Sequence, residues 1–204
     1  MKYGIFAMSG SEPGHRIESY ETVHQGWGRM LLATLTTPDG SRITRQIEDH
    51  GDAVAVLPYD AARGTVILVR QSRPPMLFRE RAGQLLEAIA GRLETGDGLE
   101  DTVRREAMEE AGLRLEALEL VGHFHAMPAV STEMLSLYLA PYAATDRIAD
   151  GGGLAEEHEN IEVIEMRLDE LWGQGMDALA DMKTALLVLA LRERLAVQAW
   201  PPAA

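Results

Sequence analysis

Glu106, Glu109 and Glu110 stand at i, i+3 and i+4 within the run Leu99 to Ala111, whose apolar residues recur at helical spacing. On a helix these positions share one face. Asp97, with Glu100 three residues on, is placed to cap the start of such a helix, and Gly112 to end it. Three carboxylates on one face repel each other. A hard divalent cation such as Mg2+, which takes oxygen ligands, would relieve that repulsion. A solvated face of an acidic helix carries the same residues, so the acids alone leave both readings open.

Composition narrows what chemistry can stand behind the acids. The chain has no cysteine, so carboxylates or histidines must carry any reaction, and there is neither a disulfide nor a thiolate metal site. Lys and Arg number 19 against 32 acids, a formal charge of −13, which repels nucleic-acid backbones and anionic membrane surfaces alike. At 204 residues and 46% hydrophobic content the chain can bury one sizeable core. Met1 to Gly14 offer no apolar stretch of signal-peptide length, and no run approaches a membrane span. A cytoplasmic location is the expectation.

Residues 15 to 49, with a turn at Thr37-Pro38-Asp39-Gly40-Ser41, read as antiparallel strands. So short a sheet has little core of its own and needs a partner surface. Ala53 to Pro58 and Thr65 to Val69 predict a buried hairpin, followed by a loop at Pro74 and Pro75 and a strand over Gln84 to Ile89. Further strands are predicted at Leu118 to Phe124, Leu135 to Ala140 and Ile161 to Met166, and an apolar-faced helix at Met182 to Leu195. Strands on both sides of a helix, with a second helix at the end, point to a mixed sheet packed between helices. The expected division is residues 1–50 as an N-terminal antiparallel sheet and residues 51–200 as the main domain.

The spacing around the three glutamates decides between the two readings of them. From Gly91 to Leu113 the chain resembles the Nudix box: Gly, five residues, Glu, seven residues, Arg-Glu, an aliphatic position, any residue, Glu-Glu, any residue, Gly, aliphatic. Gly91, Arg105, Glu106, Ala107, Glu109, Glu110, Gly112 and Leu113 match, and Asp97 stands where the first Glu belongs. The resemblance implies an α+β fold, an α/β/α sandwich with a mixed sheet and a small N-terminal antiparallel sheet beside it. It implies Mg2+, with Mn2+ as an alternative ion, held by Glu106, Glu110 and the carbonyl of Ala90, with Glu109 in support and Arg105 orienting the glutamates. Asp97 would support that arginine.

Over roughly residues 40 to 197 the chain also resembles the ADP-ribose and GDP-mannose pyrophosphatase branch of that family. Val69-Arg70-Gln71-Ser72-Arg73 resembles the strand end that presents an arginine to a diphosphate, so Arg73 is the expected contact. Gln84 to Gly91 resembles the branch's lead-in to the box, with Ile89 where a proline is common. Gly152 to Ile161 resembles its catalytic loop, which maps a general base onto Glu157 and a further metal ligand onto Glu159. Met127 to Glu133 resembles, without its glycines, a segment preceding a substrate-facing Glu, which maps onto Glu133. In this branch the N-terminal sheet exchanges between subunits of a homodimer, where Trp27 would stack a base or serve as core.

The activity implied is hydrolysis of a nucleoside diphosphate sugar, ADP-ribose first and GDP-mannose next, to a nucleoside monophosphate and a sugar phosphate. The alternatives are a Nudix-fold sensor that binds ADP-ribose without cutting it, a triphosphate housecleaning pyrophosphatase, and an acidic dimeric interaction domain. His123 and His125 share a strand face but have no third partner nearby in sequence, and read as core or rim residues rather than a zinc site.

Overall fold

The structure is a computed structural model that describes residues 14–79, 83–154, 156, 160–175 and 179–199. The chain divides into two compact units: residues 1–50 with 127–132, and residues 51–126 with 133–204.

The second unit is built on β4 (Ala53–Asp60), β5 (Thr65–Ser72), β6 (Gln84–Glu87), β7 (Ile89–Arg92), β8 (Glu119–His125), β9 (Met134–Pro141) and β10 (Glu162–Arg167), with α1 (Pro74–Phe78), α2 (Leu99–Ala111), α3 (Leu168–Gly173) and α4 (Met182–Ala199). The strands form one mixed sheet in the order β10-β5-β4-β9-β8, with β4 and β9 parallel. Every residue of β4 is buried, as expected of an apolar run covered on both faces. Its side chains alternate between two cores. Ala55, Leu57 and Tyr59 pack with Leu68, Leu137, Leu187 and Leu191 on the α4 side. Val54 and Val56 pack with Ile67, Val69, Val103 and Ala107 on the α2 side. The fold is therefore α+β, a mixed sheet between helical layers.

β4 and β5 pair only near their turn, at Tyr59 with Val66 and Asp60 with Thr65. Beyond it they part, and the chain from Gln84 to Arg92 fills the gap. β6 pairs with β5 and β7 pairs with β4. The single strand predicted over Gln84 to Ile89 is thus two, broken at Ala88 where the ladder changes partner. The Ala88 amide, left without a strand acceptor, donates to the Thr184 hydroxyl at 2.7 Å. Pro74 and Pro75, predicted as loop, open α1 instead, since proline is tolerated in the first helical turn.

The first unit is a three-stranded antiparallel sheet of β1 (Arg16–Gln25), β2 (Arg29–Thr36) and β3 (Arg42–Asp49). The predicted turn lies between β2 and β3, where Gly40 takes a φ of 83° and donates to the Thr37 carbonyl at 2.9 Å. Residues 127–132 join this unit: the Glu48 amide donates to the Val130 carbonyl at 2.8 Å and the Thr132 amide to the Glu48 carbonyl at 3.0 Å. Among the described residues no helix is long and apolar enough to cross a membrane.

Candidate active site

Helix α2 carries the three glutamates, and its ends are set by glycines. Gly98, not Asp97, is the N-cap, and its carbonyl accepts from both the amide and the hydroxyl of Thr102 at 3.0 and 3.1 Å. Glu100 and Asp101 in the first turn suit the positive end of the helix dipole. Gly112 ends the helix at a φ of 65°, and a side chain there would also run into the Ala149 backbone.

The helix buries Val103, Ala107 and Ala111 against the sheet and turns its acids toward β7. Glu110 is almost wholly buried and accepts from the Ala90 amide at 3.3 Å. The Glu106 carboxylate lies directly on Gly91, where any Cβ would overlap it. A side chain at Gly91 would push the Glu106 carboxylate out of this position, which is a physical reason for glycine at the head of the box. Ala90, Glu106 and Glu110, predicted as one ligand set, are therefore brought together on β7.

Arg105 lies across the outer side of this cluster. It donates to Glu109 at 3.0 Å and to the Arg92 carbonyl at 3.3 Å, and pairs with Glu106 at 2.9 Å. Burial works against its charge, but Glu106 and Glu109 more than offset that and raise its pKa, with Glu94 adding to them. These contacts place Arg105 beside both Glu106 and Glu109. Asp97 makes no bond to it among the described contacts; the charge that reaches Arg105 from the same loop belongs to Glu94.

Among the described residues no three Asp, Glu or His side chains converge tightly enough to cage a metal ion. The donor set nevertheless fits a hard cation in chemistry: carboxylates and a peptide carbonyl, with no nitrogen or sulfur. Glu157 and Glu159 lie outside the described residues. The chain before them is fastened to the end of α2, and the chain after them returns to Gly152. Gly152 and Gly153 donate to the Glu110 and Glu109 carbonyls at 2.9 and 3.1 Å, and Ile161 donates to the Gly152 carbonyl at 3.2 Å. Gly151, at a φ of 74°, comes so close to the Glu110 carbonyl that a Cβ would clash.

Arg73 follows β5, and its amide donates to the Gly83 carbonyl at 2.9 Å. Its guanidinium is gripped side-on by Glu87, with Nε to Oε1 at 2.7 Å and Nη2 to Oε2 at 2.9 Å. Glu87 is 2% exposed and also accepts from Lys183 Nζ at 2.6 Å. Burial pushes the Glu87 carboxyl upward, but Arg73 and Lys183 more than offset this and hold it below the usual carboxylate range. Lys183 also bonds Asp181 at 2.9 Å, and Asp181 caps α4 by accepting from the Thr184 amide at 3.1 Å. Sequence reading missed Glu87 and Lys183. A single acid inside the apolar run Leu85 to Ile89, and a single lysine at the head of an apolar helix, were the available signals.

Glu133 is partly buried, and its backbone carbonyl accepts from the Ala126 amide at 3.2 Å. Trp27 belongs to the first unit, where it is 72% exposed and its ring lies 5.1 Å from that of His50. The core alternative for Trp27 is thereby set aside. His123 bonds the Ser136 hydroxyl at 2.9 Å, in keeping with a rim residue.

Comparison with known proteins adds an independent line. The NUDIX domain family matches residues 49–186. The chain is 37% identical over 170 residues to a protein of Cronobacter sakazakii named GDP-mannose pyrophosphatase, covering 81% of this chain and 87% of that one. It is 34% identical over 174 residues to a protein of the same name from Yersinia enterocolitica, covering 82% and 90%. A solved structure titled as that of an ADP compounds hydrolase superposes with a TM-score of 0.73, covering 94% of this chain and 99% of the other at 18% identity. That likeness speaks for the fold alone.

Proposed function

The chain belongs to the NUDIX domain family, and from that premise we propose that it is a Mg2+-dependent pyrophosphatase of nucleoside diphosphate sugars. Mn2+ is the alternative ion. GDP-mannose is the first substrate to try, because relatives 32–37% identical carry the name GDP-mannose pyrophosphatase. ADP-ribose, which the sequence alone favoured, comes second. The products are a nucleoside monophosphate and a sugar phosphate.

The observation that carries this reading is the meeting of Glu106 and Glu110 at Ala90–Gly91, with Arg105 laid across Glu106 and Glu109. Glu106, Glu110, the Ala90 carbonyl and Glu159 would hold the cation, and Glu109 would support it. Bound there, it supplies positive charge to the pyrophosphate oxygens. Glu157 takes the proton of the attacking water as its oxygen bonds to phosphorus. The bridging P–O bond breaks, and the bridging oxygen leaves with the other phosphate. Arg73 binds the diphosphate through the end of its guanidinium that Glu87 leaves free. The bonds of Gly152 and Gly153 to the Glu110 and Glu109 carbonyls, with Ile161 bonded back to Gly152, support the assignment of Glu157 and Glu159.

Residues 1–50 are proposed to exchange between the subunits of a homodimer, with Trp27 stacking the base and Glu133 facing the sugar. A cytoplasmic location belongs to the same proposal. The test is a panel of GDP-mannose, ADP-ribose and dATP with Mg2+, both products being identified in each case. Glu110→Gln is expected to lower turnover by roughly 10²- to 10³-fold. Unchanged turnover in that variant would sink the metal assignment, and preferential cleavage of dATP would replace the sugar-nucleotide reading.

A further inference from the structure

We propose that Glu87 and Lys183 are positioning residues that hold the Arg73 guanidinium in one plane, so that its outward edge is preset for the two oxygens of a diphosphate. The inference rests on the diphosphate role given to Arg73 above, and goes beyond it by assigning two residues that touch no substrate.

A guanidinium has two usable edges. The side-on edge is Nε with one hydrogen of Nη2; the end-on edge is Nη1 with the other hydrogen of Nη2. Glu87 takes the side-on edge with both of its oxygens, at 2.7 and 2.9 Å. That double grip fixes the guanidinium plane, which a single hydrogen bond would not do. Exposure within the pair is one-sided. The Arg73 side chain is 38% exposed and that of Glu87 3%, so Glu87 grips from the protein side and leaves Arg73 the surface open to solvent. Nη1 bonds none of the described residues.

Charge explains why a lysine joins the pair. A buried carboxylate serving one arginine would largely cancel the positive field that the arginine is there to provide. Lys183 Nζ, 2.6 Å from Glu87 Oε2, shares that negative charge, and Asp181 in turn neutralises Lys183 at 2.9 Å. The four groups sum to zero, yet they lie in order from the α4 cap outward, with Arg73 as the exposed cation. The anchor behind them is firm. Asp181 caps α4, and the fully buried Thr184 binds the Ala88 amide, one residue from Glu87. Stability alone gives little reason for such a network, since buried ion pairs are often replaced by apolar residues at no cost.

The test is a double-mutant cycle on the full-length protein between Arg73→Ala and Glu87→Gln. It reads KM and kcat for GDP-mannose with Mg2+, and the Kd for GDP by calorimetry, a binding readout independent of turnover. Glu87→Gln should raise KM and Kd about tenfold while leaving kcat within about threefold. In the Arg73→Ala background it should add nothing, because the group it positions is gone. Additive effects, or unchanged KM and Kd in Glu87→Gln, would overturn the proposal and leave Glu87 a purely structural residue. Should Glu87→Gln fail to fold, the neutral pair Glu87→Gln with Lys183→Met removes both buried charges together and carries the same prediction. A silent Arg73→Ala overturns the diphosphate role of Arg73 and the clamp with it. An effective Arg73→Ala beside a silent Glu87→Gln overturns the clamp alone.

Discussion

The two sheets of this chain solve the same problem unequally. In the seven-stranded sheet each strand of the centre faces a core on both sides, and Leu57, Leu68, Leu137 and Leu139 are at most 1% exposed. In the three-stranded sheet every residue of β1 is exposed, and Ile17, Tyr20 and Val23 show 52%, 65% and 53% of their surface. Only Leu31 and Ala33 are buried there. Both sheets have well-formed ladders. Backbone pairing is therefore not what separates them; apolar cover is. A sheet covered on both faces can hold chemistry rigidly at its strand ends, whereas one with an open apolar face is suited to taking a partner.

The largest effect expected from this contrast is on stability. Leu57→Ala, at the centre of the covered sheet, should cost about 2–5 kcal/mol in a denaturant titration. Val23→Ala on β1 should cost less than about 0.5 kcal/mol in the isolated chain. Equal costs would break the comparison, since they would mean that Val23 is already as well packed as Leu57. The next effect is on association. If the open face is covered by a second copy, Val23→Asp places an unpaired charge in that contact and should weaken the dimer by at least about a hundredfold, read by sedimentation at graded concentrations. An unaltered dimer would remove β1 from the interface.

The same contrast governs what the sequence could disclose. The hairpin over Ala53 to Pro58 and Thr65 to Val69, and the helix from Leu99 to Ala111, were legible because apolar period and length are local properties. The grouping of Glu106, Glu109 and Glu110 was legible for the same reason. The break at Ala88 was not, because it depends on β4 and β5 parting, a property of the whole sheet. Pro74 and Pro75 carry a loop signal and a helix-start signal at once, and local pattern does not rank the two. Asp97 satisfies the capping pattern as well as Gly98 does, and pattern cannot tell which carbonyl will receive Thr102. Glu87 and Lys183 are 96 residues apart in sequence, and no spacing rule joins them.

The smallest expected effect is confined to alkaline solution and asks whether the covered sheet is closed at its rim as well as at its centre. Tyr142 follows β9, where its amide donates to the Tyr59 carbonyl at 2.9 Å. Its hydroxyl donates to Glu165 at 2.8 Å and lies 3.0 Å from that of Thr65. Burial and the Glu165 carboxylate resist a second negative charge and push the phenol up to about 12, against an ordinary 10.0. The folded state thus prefers the protonated phenol more than the unfolded state does. The resulting stabilisation is complete below pH 10 and is lost as the pH rises from 10 toward 12. Absorbance titration of tyrosinate should find a phenol ionising near 12 in the native protein, absent from Tyr142→Phe. The variant should also lose less stability than the native protein over that interval. If all the phenols of the native protein titrate near 10, water reaches Tyr142, and the rim of the covered sheet is as open as β1.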